Sequence, residues 1–314
     1  MDQASKRRGR PSPDAGNMKP IAFNLEEALA VENIYRPNLL VIQEELQPWE
    51  VTVSDRDRAV NILRLLRIWF DVPHNVFFTA ATYLDLFLSR LKVQEKYLNC
   101  LTVSCFYVAA EKEGCNVDAN QLVAISKNFC MNDLNRMVKI VKEKLKLDNN
   151  DHNRTTTCAD FLIIYLEVLE YIMSRWMVGY RVDEVLKKEQ LLTRLEILLA
   201  NNSCAFFRSS VLALVLLKFE IEKLLTQAIA NKSMHLIGDL IQLLGILREL
   251  QFTCKIKSAE LVNCSNNASN VMKQYDNQNN KQHSSTIEKG NRYRSYYTPL
   301  STIEEKTKSP CKKN

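Results

Sequence analysis

Catalysis needs nucleophiles, acids and bases, or metal ligands at short spacing, so the histidines and cysteines are weighed first. His74, His152, His235 and His283 lie in four different segments, none beside a serine or cysteine that an imidazole could activate. Glycine-rich phosphate cradles, a GxSxG elbow and an HExxH zinc motif do not occur. Nine cysteines stand at 100, 105, 115, 130, 158, 204, 254, 264 and 311 with no CxxC pair and no histidine at metal-ligand spacing, which reads as reduced, mostly buried thiols. The carboxylate pairs Glu26 with Glu27 and Glu44 with Glu45 read as solvated faces. Asp85, inside the apolar run LDLFL, is the expected buried carboxylate, bonding backbone donors. No catalysis, cofactor or metal is expected.

Recognition chemistry lies at the two ends instead. Lys6, Arg7, Arg8 and Arg10 sit in KRRGRP, which resembles an AT-hook core whose Arg-Gly-Arg lies in a narrow minor groove because glycine permits close approach. A nuclear import patch and a plain solvated charge run compete with that reading. Nucleic acid is therefore not the expected partner, and a nuclear DNA-associated regulatory protein is kept as the alternative. Ser12, Thr298 and Ser309 each precede a proline and are candidates for proline-directed phosphorylation, which would add about −1.5 to −2 charges per site.

Helices are the elements that must position all of this. Only seven glycines and eight prolines in 314 residues is sparse for a strand-and-turn protein, and 46% apolar with 25% charged residues is ordinary globular material. No apolar run reaches the ~20 residues of a membrane span, and the basic start leads into Pro and Asp rather than an apolar leader. The net charge of +6 is carried by the ends.

Residues 1–20 read as a disordered basic N-terminus, and 21–53 as a helix with an extended run. At 54–147, apolar residues recur every three or four positions in five segments, beginning with a helix capped by Ser54 and Asp57 that carries Ala59, Ile62, Leu63, Leu66 and Trp69 inward and breaks at Pro73. Gly114 is the expected stop of the third helix. Residues 148–156 read as a linker, 157–254 as a second helical bundle, and 255–314, rich in Asn, Gln, Ser and Lys, as a disordered tail.

The joint order of LDLFLSRLKVQEKYLNCLTVSCFYVAAEKE, Leu84 to Glu113, resembles the centre of a cyclin box, and KVQxKxLxC with SCFY resembles cyclin G. Leu192 to Glu222 is similar to the second cyclin fold, and SYYTPLSTIEE, Ser295 to Glu305, to the end of cyclin G proteins. The resemblance implies an all-α fold: tandem five-helix cyclin-box bundles with disordered N- and C-terminal tails. It also implies a nuclear and cytoplasmic regulatory adaptor whose first box docks a cyclin-dependent-type kinase through Glu111, Lys112 and Val138.

Glu111 and Val138 depart from the Lys and Glu that kinase-activating cyclins carry there, and Lys112 is rotated by about 100° from the Lys position. Leu86 stands where the family has Arg, which implies loss of an internal salt bridge. In the tail, Leu300, Ile303 and Glu305 form an LxxIxE motif expected to recruit the B-prime regulatory subunit of protein phosphatase 2A. Two apolar anchors and a carboxylate suit an extended peptide in a groove, and phosphate on Ser301 or Thr302 would add charge toward a basic site.

Overall fold

The computed structural model describes residues 18–43, 49–126, 128–147, 155–176 and 181–287. Helices α1 (Lys19–Tyr35), α2 (Val53–Trp69), α3 (His74–Arg90), α4 (Glu95–Lys112), α5 (Ala119–Ser126) and α6 (Met131–Leu145) come first, with a 3-10 turn at Leu39–Gln43. Then follow α7 (Cys158–Trp176), α8 (Val182–Val185), α9 (Lys188–Leu199), α10 (Asn202–Ala205), α11 (Ser209–Ala230), α12 (Met234–Thr253) and α13 (Ser258–Ile287). Among the described residues the extended pairing is one isolated antiparallel bridge, Glu50 with Gln94.

Two bundles result. In the first, α4 packs between α3 and α6 and against α2. Its small buried residues Ser104, Cys105, Ala109 and Ala110 let those neighbours approach closely, while Phe77, Phe78, Leu84, Leu101 and Phe106 fill the space between them. In the second, α11 is central, against α7, α9 and α12, and buries Val211 to Leu217 without interruption. Helix α1 packs on α7 of the second bundle through Leu25 and Ala28.

The sequence reading is corrected at three places. The cap of α2 is Thr52, not Ser54: the Thr52 hydroxyl accepts from the Asp55 N–H at 3.2 Å, and the Asp55 carboxylate accepts from the Thr52 N–H at 2.9 Å. Two threonine-like candidates two residues apart each offer an acid three positions on, and only the chain's approach through Val51, whose N–H donates to Val93 O at 3.0 Å, chooses between them. Trp69, expected inward, is 57% exposed, because α2 ends there and Leu66 fills its inward place. The chain past 254 is not all tail. Helix α13 buries Leu261, Cys264, Ala268, Val271 and Met272, a helical stripe that its asparagine-rich composition conceals.

Helix ends share one device. Gly114 has φ +70° after α4, as expected, and Cys115 N–H returns to Ala110 O at 2.8 Å. Asp71, Lys146, Lys232 and Lys255 take the same left-handed turn after α2, α6, α11 and α12. The compact unit that holds both bundles ends at Lys273, and the chain from Gln274 forms a second.

Candidate partner-docking face and the junction behind it

Helix α4 changes character at its last turn: Ala109 and Ala110 are buried, and Glu111, Lys112 and Glu113 are exposed. The Glu111 carboxylate reaches across to α6, where Lys142 Nζ lies 2.7 Å away. Val138, half-buried, sits one turn before Lys142 on the same side of α6. Glu111, Val138 and Lys142 therefore form one patch, and the acid is on α4 and the base on α6, opposite to the polarity that the family resemblance led one to expect.

Lys112 points elsewhere. Its ammonium lies 5.6 Å from the centre of the Tyr83 ring on α3, so it does not stand in for a lysine at position 111. The Tyr83 phenol is buried, and burial first, with Glu113 and Cys105 adding to it, pushes its pKa far up. It stays neutral and serves as a ring under a cation. The three docking candidates are thus divided: Glu111 and Val138 come together with Lys142, and Lys112 turns to the neighbouring helix.

This face is held from behind by charge. Arg56 on α2 is fully buried and donates to both oxygens of Asp85 on α3, Nε to Oδ1 at 2.9 Å and Nη2 to Oδ2 at 2.6 Å. Nη1 donates to the Leu199 carbonyl at the end of α9, 2.7 Å away, so one guanidinium ties two helices of the first bundle to the second. Burial alone would lower the Arg56 pKa, but Asp85 more than offsets that and holds it raised. Asp85 is buried as expected, yet its partner is this arginine and not backbone donors. Leu86, beside this ion pair, is buried and lines a cavity with Tyr35, Leu145 and Thr155. Asp57, expected as the acidic partner of a Ser54 cap, instead accepts from the Asn202 N–H at 3.0 Å and its side-chain amide at 2.8 Å, a second tie across the junction.

A third tie centres on Glu196 of α9, which is fully buried. His74 Nδ1 lies 2.6 Å from its Oε1, Arg67 Nε 2.8 Å away and Arg64 Nε 3.7 Å from Oε2. Neither arginine nitrogen is aligned for a hydrogen bond, so the contact is an ion pair and not a directed bond. His74 Nε2 also lies 3.2 Å from Glu189. Sequence reasoning missed this cluster because the groups stand up to 132 residues apart, between Arg64 and Glu196, with no local spacing to join them.

The buried thiols are held protonated. Burial pushes Cys204 up to about 11 and Cys105, Cys158 and Cys264 further, so each is protonated and inert. Among the described residues no group of three or more His, Cys, Asp or Glu could hold a metal ion, and no helix is long and apolar enough to cross a membrane. Lys6, Arg7, Arg8, Arg10, Ser12, Thr298, Leu300, Ser301, Thr302, Ile303, Glu305 and Ser309 all lie outside the described residues.

Comparison with known proteins agrees with this architecture. The model of the cyclin N-terminal domain matches residues 24–150. Cyclin G of Drosophila melanogaster is 28% identical over 199 residues, 62% of this chain and 34% of the fly protein. Cyclin-G1 of Sus scrofa is 32% identical over 178 residues, 55% of this chain and 57% of that one, and cyclin-G2 of Mus musculus 30% over 208 residues, 64% and 56%. The chain spans about half the length of the two mammalian relatives and about a third of the fly protein. Among solved structures, a viral cyclin from herpesvirus saimiri superposes with a TM-score of 0.55 at 18% identity, over 80% of this chain and 99% of that one, a likeness of fold. The first bundle thus matches the cyclin N-terminal domain, and cyclin G proteins are among the relatives to which this chain is similar.

Proposed function

We propose that this protein is a cyclin G-like regulatory adaptor that works in cell-cycle control, in nucleus and cytoplasm, by holding a phosphatase with its tail while its first box engages a kinase-type partner. The observation that carries the reading is the tail motif of Leu300, Ile303 and Glu305 on a chain whose box has the cyclin architecture. The motif offers two aliphatic anchors and a carboxylate at a spacing that an extended peptide can set into a groove of the B-prime subunit of protein phosphatase 2A. Phosphate on Ser301 or Thr302, or at the proline-directed Ser12, Thr298 and Ser309, would tune the affinity.

The box reading is docking without activation. Glu111 is already engaged by Lys142, so a kinase surface that expects a free lysine on α4 meets an acid instead. This supports an adaptor whose box selects partners by a reversed charge pattern.

Calorimetry of a peptide spanning Ser295 to Lys308 against the B-prime subunit tests the first half. If each aliphatic anchor contributes about 1.5 to 3 kcal/mol, Ile303→Ala weakens binding by roughly tenfold or more. Equal affinity of both peptides removes the phosphatase reading. Purification of the full chain with a panel of cyclin-dependent kinases, followed by activity measurement, tests the second half: binding with no gain in activity is expected, and activation would overturn it.

A further inference from the structure

Two thiols from different helices of the first bundle meet at one residue, Asp133. Among the described cysteines Cys130 is exposed, Cys115 is half-buried and the others are buried. Cys130 stands just ahead of α6 in extended backbone, φ −99° and ψ 174°, outside the helical ladder. Its sulfur accepts from the Asp133 N–H in the first turn of α6, and its own N–H donates to the Asp133 carboxylate at 3.0 Å.

Cys100, in the second turn of α4, comes to the same residue from the other side. Its thiol donates to the Asp133 carbonyl at 3.7 Å, so the two sulfurs bracket the backbone of Asp133. Burial first, with Asp133 and Cys130 adding to it, pushes the Cys100 thiol up, while a bond with Ser104 works the other way. Cys130 is therefore close enough to disfavour charge on Cys100. The pair divides into an accessible thiol and a sheltered, protonated one beside it, which is how an oxidisable cysteine and the cysteine that resolves it are arranged.

We propose that Cys130 and Cys100 form a peroxide-responsive pair, Cys130 oxidised first and Cys100 resolving it to a disulfide between α6 and α4. The Cys130 thiolate attacks one oxygen of a hydroperoxide: the S–O bond forms, the O–O bond breaks and hydroxide (or alkoxide) leaves. The Cys100 sulfur then attacks the Cys130 sulfur: the S–S bond forms, the S–O bond breaks, and the departing hydroxide takes the Cys100 proton as water. Two electrons pass from the thiols to the peroxide. A disulfide needs its α-carbons within about 7 Å, so closure draws the Cys130 cap, which lies outside the helix, onto α4. Glu111 lies eleven residues past Cys100 and Lys142 twelve past Cys130, so the bond staples the two helices at the end away from the Glu111–Lys142 patch.

Hydrogen peroxide is added to the full chain, remaining thiols are blocked, and the unreduced digest is read by mass spectrometry. A peptide joining Cys100 to Cys130 is expected as the main cross-link, and dithiothreitol restores both thiols. In Cys130→Ser, which changes an exposed side chain and keeps the fold, oxidation of Cys100 is expected to fall about tenfold or more. In Cys100→Ser, Cys130 is expected to persist as a sulfenic acid that dimedone traps. A wild type in which Cys130 stays reduced, stops at the sulfenic acid or bonds another cysteine overturns the proposal, and so does equal oxidation of Cys100 in Cys130→Ser.

Discussion

Arg56 is the largest fully buried side chain among the described residues, and its hydrogen bonds show what a fully satisfied ion can do in a helical protein. Both Asp85 oxygens and the Leu199 carbonyl accept from it, so the pair fixes α2, α3 and the end of α9 in one step. Removing one partner strands the other in a low-dielectric interior, at a cost of about 3 to 5 kcal/mol, whereas removing both need not. Arg56→Met and Asp85→Leu are each expected to lower stability in urea by that amount, and the double variant by less than the sum. Additive losses would show that the two groups do not act as a pair. The Glu111–Lys142 pair differs: it is half-exposed and worth about 0.2 to 1 kcal/mol, so it shapes the charge pattern of the α4–α6 face more than it stabilises the fold.

At the scale of elements, carboxylates at helix starts recur. Burial alone would raise the Asp55 pKa, but bonds from Thr52 and Arg58 outweigh it and hold the pKa below its ordinary value. Bonds from Cys130 do the same for Asp133 at the start of α6. A folded pKa below the unfolded one means that the unfolded chain binds the proton more readily. The stabilisation is complete above the unfolded value near 3.9 and is lost as pH falls through the folded pKa. Urea midpoints are therefore expected to drop between about pH 5 and pH 3, and Asp55→Asn to show a shallower drop from a lower start; an unchanged slope would remove the cap from the account. Helix α13 carries a second expectation. Ending the chain after Cys254 uncovers the groove that Leu261, Cys264 and Val271 fill and breaks the bidentate pair of Arg208 with Glu260 at 2.9 and 3.1 Å, so the melting temperature falls. Ending it after Lys273 keeps those contacts and changes stability by no more than about 0.5 kcal/mol.

For the whole molecule, the question is what makes two bundles unfold together. Among the described residues, polar ties cross the junction from Arg56 to Leu199 O, from Asp57 to Asn202, and from Glu196 to His74, Arg64 and Arg67. Glu196 is the centre of the last, and without its charge three cationic or protonatable groups face one another at the joint. Glu196→Ala is expected to split a single calorimetric transition into two, the second bundle separating from the first. One unbroken transition with only a lower midpoint would place the coupling in the apolar contacts of α3 with α7 and α9.

The sequence by itself determined the helical class and the tandem-bundle architecture, because helical periodicity is local. It also located Gly114 as a stop and Asp85 as a buried acid, each marked by its own neighbours. What needed the tertiary structure was every choice between local equals and every pairing over distance. Thr52 and Ser54 are both good caps, and only the Val51–Val93 contact decides between them. Asp85 does not name Arg56, nor Glu196 His74, since 29 and 122 residues of chain separate them and desolvation, not spacing, makes the partners necessary. Helix α13 stayed hidden for a related reason: five buried side chains outweigh an average composition only when a groove exists to receive them.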